Sequence, residues 1–129
     1  MIKISDLSVG DWVRWEVYDK TYDMQVSGVT DRRIYGLHDG IEYSMLLTQI
    51  RSIPITAEIL EKNGFERSTS QFIVYHTDKV WISYDKPSET WSVTMYINDF
   101  TSNLHANILH VHQLQHALRL AGVDKEINL

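Results

Sequence analysis

The chain has 129 residues, with 43% hydrophobic and 22% charged side chains, two prolines and no cysteine, the arithmetic of one compact domain or two very small ones. The lack of cysteine excludes disulfides, thiolate zinc sites and cysteine nucleophiles. Twelve Lys and Arg against seventeen Asp and Glu leave a formal charge of −5, and a split at Ile53 puts six basic and eight acidic residues before it and six and nine after it; neither part is the basic module that nonspecific nucleic-acid binding needs.

Met1 to Asp6 shows no basic region followed by an apolar core, and no run approaches 18 apolar residues, so the expected address is the cytoplasm, with no membrane contact. Ser8-Val9-Gly10-Asp11 reads as a turn into a strand over Trp12 to Tyr18, rich in aromatic and branched residues. Asp19-Lys20 makes the next turn, Met24 to Val29 a second strand and Arg32 to Leu37 a third. Asp39-Gly40 tolerates positive φ before Ile41-Glu42-Tyr43. Leu46 to Ile50 reads as one helical turn, and Ile50 to Ile53 closes the set. Five short strands with a helical turn before the last is the layout of a small SH3-like β-barrel over residues 1–53.

After Pro54 the pattern changes. Thr56 suits a helix N-cap, Glu58 the first turn, and Asn63-Gly64 the stop, giving a helix of about seven residues. Three strand-like runs follow, Gln71 to His76, Lys79 to Tyr84 and Trp91 to Asn98, with Thr77-Asp78 as a tight turn and Asp85 to Glu89 as an exposed one. In the last run Trp91, Val93, Met95 and Ile97 alternate with polar or amphipathic residues, the period of a sheet with one buried face. From Val111 to Ala121 the period is helical and Gly122 marks its end. The expectation for residues 54–129 is a helix, a three-stranded antiparallel sheet and a helix, making the whole chain α+β and β-rich.

Two stretches carry a resemblance. Pro54-Ile55-Thr56-Ala57-Glu58-Ile59-Leu60-Glu61-Lys62-Asn63-Gly64-Phe65 resembles the Pro-Leu-Thr-x-Glu-x-Leu-x-Lys-x-Gly-Phe segment of a family of small proteins from gut Bacteroidetes and their phages or mobile elements. Val111-His112-Gln113-Leu114-Gln115 resembles the family's second signature, Tyr-Val-His-x-Leu-Gln, with a departure at His110, where that pattern usually has Tyr. The resemblance implies an architecture and a host range; it carries no activity and no catalytic residue.

On the C-terminal helix, Leu114, Ala117, Leu118 and Ala121 fall in one arc beside Val111, while His112, Gln115, His116 and Arg119 form a polar stripe. His112 and His116 have the i, i+4 spacing of a metal-binding helix, but Gln113 stands where a zinc protease helix places its Glu. His110 joins them only if the helix breaks at its start. No Gly-x-Ser-x-Gly elbow or phosphate loop is present. These residues favour a non-enzymatic interaction module that binds a protein partner, or itself as a homo-oligomer, through aromatic sheet edges and the stripe His112, Gln115, His116 and Arg119. One alternative is a binder of a small, nucleotide-like molecule, held in the crevice between the two parts by Trp12, Trp15, Arg32, Arg33 and Tyr35. Another is a hydrolase using the histidines, with or without a metal. No cofactor is implied.

Overall fold

A computed structural model describes residues 2–68, 72–77, 79–97, 100–123 and 125–129, with backbone alone at 96–97 and 100–106. The expected strand ends at Gln71 and Asn98 and the turn residue Asp78 lie outside the described residues. Among the described residues the chain is α+β and strand-rich, with two antiparallel sheets and two α-helices. It divides into two compact units, residues 1–53 and 54–129. Among the described residues no helix is long and apolar enough to cross a membrane.

The first unit is a meander of β1 (Trp12–Val17), β2 (Lys20–Val29), β3 (Ile34–His38) and β4 (Ile41–Met45), followed by a 3-10 turn (Leu47–Gln49) and β5 (Ile50–Arg51). The order β4-β3-β2-β1-β5 is an open sheet with β4 and β5 at its edges. The Ser8 to Asp11 turn forms as its residues dictate: Gly10 takes φ 96°, and the buried Asp11 carboxylate accepts the Ser8 N–H at 2.8 Å. The first hairpin turns one residue earlier than expected. Tyr18 takes φ 55° and Lys20 already pairs with Val17. Strand alternation places Val13, Met24, Val26, Ile34, Met45 and Ile50 in one core, which Ile2 and Leu7 complete. Gly36 sits within it because a Cβ there would lie 2.7 Å from Met45 Cε and 3.3 Å from Met24 Cβ.

The second unit opens with α1 (Ala57–Lys62). Thr56 Oγ1 accepts the Ile59 N–H at 3.3 Å, and Gly64 supplies the left-handed stop at φ 83°. The sheet then has five strands where the sequence suggests three: β6 (Glu66–Arg67), β7 (Val74–His76), β8 (Val80–Asp85), β9 (Thr90–Ile97) and β10 (Phe100–Ile108), in the order β10-β9-β8-β7-β6. β10 escapes the sequence pattern because register shifts at Asn103/His105 and His105/Ile108 break the period of two. The helix α2 (Val111–Leu120) packs on β10, burying Val111, Leu114, Ala117, Leu118 and the following Ala121 as the helical period requires. Gln113 has its own task. Its Oε1 accepts the N–H groups of Leu109 and His110 at 2.9 and 3.0 Å, closing the start of the helix. The C-terminal segment is tied to α1: Asn63 Nδ2 donates to the carbonyls of Ile59 and Asn128, and Asn63 Oδ1 accepts the Asn128 N–H.

Candidate functional site

The register of the first sheet gathers rings that are far apart in sequence. Trp15 pairs with Tyr22 across β1 and β2, and Gly36 pairs with Tyr43 across β3 and β4. Gly36 itself is covered, since the side chains of Met45 and Met24 fill the space over it, and the rings gather beyond it, toward the turns. The result is a hollow of about 300 Å³ lined by Trp15, Val17, Tyr18, Tyr22, His38 and Tyr43, with the buried Met24 among its walls. Trp15 lies 5.6 Å from Tyr43 and 6.0 Å from Tyr22 between ring centres, both tilted by 43°, while Tyr22 meets His38 edge-on at 5.3 Å. These spacings and tilts are the favourable offset geometries of aromatic pairs.

Hydrogen bonds fix the rings. The Trp15 indole N–H donates to Gln49 Oε1 at 3.0 Å, and that same oxygen accepts the Leu46 N–H at 3.2 Å. His38 Nδ1 faces the Asp23 carbonyl at 3.2 Å, so Nδ1 carries the hydrogen and Nε2 faces the Asp39 carboxylate at 3.4 Å. The hollow lies at the end of the sheet where the β1–β2 and β3–β4 turns meet. One wall, Tyr18, is 99% exposed and another, Tyr43, is 36% exposed. Beside Tyr43 runs the edge strand β4, whose residues Ile41 to Ser44 are all exposed.

Of the residues singled out in this unit from sequence, only Trp15 reaches the hollow. Trp12 and Tyr35 fall on the other face of the sheet by alternation, with the Tyr35 ring over Gly28. Arg32 and Arg33 lie in the turn between β2 and β3, at the opposite end of the meander, where Arg33 donates to Ser44 Oγ at 3.3 Å. Tyr18, Tyr22, His38 and Tyr43 went unselected. The signal that finds them is the pairing Trp15–Tyr22 set by the hairpin and the Asp39-Gly40 turn that aligns β3 with β4.

In the second unit the polar stripe of α2 is divided. His112 and Gln115 are inside, at 5% and 7% exposure, while His116 is half-buried and Arg119 exposed. The helix does break before Val111: His110 is extended at its N-cap, which lets the His110 ring stack on His112 at 5.9 Å and 5°, with His116 edge-on to His112 at 6.0 Å. Burial pushes the His110 imidazole below its ordinary value of 6.5. Among the described residues no three His, Asp or Glu side chains are grouped to hold a metal ion. A second hollow, of about 560 Å³, is polar and lined by Gly64, Glu66, His76, Thr77, Lys79, Val123 and Lys125. Lys125 also holds its ammonium 5.2 Å from the centre of the Phe65 ring. Compared with protein-family models, curated proteins and solved structures, the chain shows no significant match to any of them.

Proposed function

We propose that the protein is a non-enzymatic binding module that takes an extended segment of a protein partner along β4, with one side chain of that segment in the aromatic hollow. The observation that carries this reading is the adjacency of two features. An exposed edge strand offers backbone N–H and C=O groups to a partner strand, and a pocket lined by five rings lies directly inside it. Main-chain pairing supplies affinity in such a mode and the pocket supplies selectivity. The same edge allows a second copy of the chain as partner. Selection from a displayed peptide library tests the proposal. Peptides whose binding is lost in Tyr43→Ala and Ile41→Pro support it; a selection that yields no peptide dependent on either residue removes it, and light scattering identifies a self-associating dimer.

We propose further that the first unit is an SH3-like small barrel. What supports this is its four-stranded meander, the 3-10 turn and a fifth strand laid beside the first. The two motif stretches around Pro54 and Val111 support membership of the gut Bacteroidetes and phage family. The alternative of a small anionic ligand is favoured by one observation, the polar hollow with Lys79, Lys125 and His76 among its walls. A thermal-shift screen with nucleotides tests it, since a ligand at one hundred times its Kd adds about 2.7 kcal/mol.

A further inference from the structure

We infer that the side chain taken by the hollow is a trimethyllysine of the partner, bound through its quaternary ammonium head; this rests on the reading of the hollow as the pocket beside β4. The shape of the lining argues for a rounded group. A flat base sandwiched between rings needs two parallel faces held apart, whereas Trp15 is tilted by 43° to both Tyr22 and Tyr43 and His38 stands edge-on to Tyr22. A hollow walled by inclined rings suits a compact, rounded cation drawn by ring π density more than a flat group.

The charges around the hollow point the same way. The segments that build it, residues 15–24 and 38–43, hold Glu16, Asp19, Asp23, Asp39 and Glu42 against a single Lys20. Glu16 and Asp23 are paired with Arg51 and Arg14. Glu42 accepts the Ser27 hydroxyl, Asp39 lies 3.4 Å from His38 Nε2, and Asp19 and Asp39 each sit in one of the two turns at the hollow's end. They attract a cation and repel an acidic side chain.

A methylated ammonium is also easier to strip of water than a primary one, because it donates no hydrogen bonds. The lining is mostly aromatic and apolar, with Trp15, Val17, Tyr18, Tyr22, Met24 and Tyr43 beside His38, which favours a cation that needs few acceptors. A peptide rather than a free choline-like molecule is the source, because β4 is exposed from Ile41 to Ser44, on both sides of Tyr43, and can pair with the backbone on either side of the modified residue.

The test uses the whole protein and a pentapeptide of glycine and serine around one central residue. That residue is trimethyllysine, its neutral tert-butyl isostere, or unmodified lysine, and choline is a fourth probe. Binding is read from the indole N–H resonance of Trp15, assigned by its loss in Trp15→Phe. The trimethyllysine peptide is expected to bind about tenfold more tightly than the isostere, the difference a desolvated cation–π contact supplies, and more tightly than lysine or choline. Tyr43→Leu keeps an apolar wall and removes a π face, so it should weaken the cationic peptide more than the isostere. An isostere that binds as well as the cation overturns the ammonium inference while the pocket reading stands. Choline binding as tightly as the peptide overturns the peptide source. No shift of the Trp15 resonance with any probe removes the inference, and it removes the pocket reading too if the peptide selection also fails.

Discussion

Truncating Asn63 should uncouple the C-terminal segment from α1. The side chain is 9% exposed and uses its whole amide: Nδ2 donates to Ile59 O at 2.7 Å and to Asn128 O at 2.8 Å, and Oδ1 accepts the Asn128 N–H at 2.7 Å. Each neutral hydrogen bond is worth about 0.5–1.5 kcal/mol net, so three amount to about 3 kcal/mol in Asn63→Ala. The loss divides between global stability, read by urea unfolding followed through tryptophan fluorescence, and local opening, read as faster hydrogen exchange at the Asn128 amide. Asn63→Asp is the sharper variant. It is nearly isosteric, yet at neutral pH it sets a carboxylate oxygen against two carbonyl oxygens, so it should cost at least as much as alanine and recover in part when acid protonates it. A loss below about 1 kcal/mol in Asn63→Ala, or wild-type stability in Asn63→Asp, would refute the clamp.

Three further perturbations follow from the same geometry. Burial holds the His110 imidazole below 6.5, so the folded state binds fewer protons than the unfolded chain; stability is fully present above pH 6.5 and is lost as pH falls through the depressed folded value. His110→Tyr should flatten that slope in unfolding curves taken from about pH 7.5 to 5.5, and an unchanged slope would remove His110 as its source. Gly36→Ala forces Met45 to move and presses on Met24 Cβ and Gln25 O. It should cost about 1–2 kcal/mol, and Gly36→Val more, with thermal unfolding as the measurement; neutrality of both would show that the core has slack. Gln113→Ala deprives the Leu109 and His110 N–H groups of their acceptor and should cost about 1 kcal/mol by urea unfolding, with Gln113→Glu keeping most of that stability.

Local chemistry made some elements legible and long-range register hid the rest. Thr56, Asn63 and Gly64 announce both ends of α1 because a cap is a property of three or four consecutive residues. Gly10 and Asp39-Gly40 announce their turns for the same reason. β10 was not legible, since its two register shifts leave no steady alternation to see. Nor was the tie between Asn63 and Asn128, 65 positions apart. On α2 the helical period identified the apolar arc but not its width: His112 and Gln115 are inside as well. The break before Val111, which stacks His110 on His112, depends on Gln113 bonding backward to two backbone groups.

The same limit explains why the hollow could not be assembled from residue types. Trp12 and Trp15 look like a pair in sequence, but three positions along a strand put them on opposite faces. Trp15 meets Tyr22 and Tyr43 instead, through two hairpins. Along that one face the lining changes character. Val13, Met24, Ile34 and Met45 are fully sealed, whereas toward the turns Tyr43 is 36% and Tyr18 99% exposed. Tyrosines at a surface are ordinary, because the hydroxyl keeps its water while the ring covers apolar neighbours. What is not ordinary packing is the space among them. Over Gly36 the face is closed by Met45 and Met24, and this sealed half shows how tightly the sheet packs when it is filled. Toward the turns a hollow of about 300 Å³ remains, and Trp15 and His38 in its walls are held in place by Gln49 and by the Asp23 carbonyl. Rings positioned in advance lose little freedom when a ligand arrives, which is the physical ground for reading the open half of the face as a binding pocket and the sealed half as its scaffold.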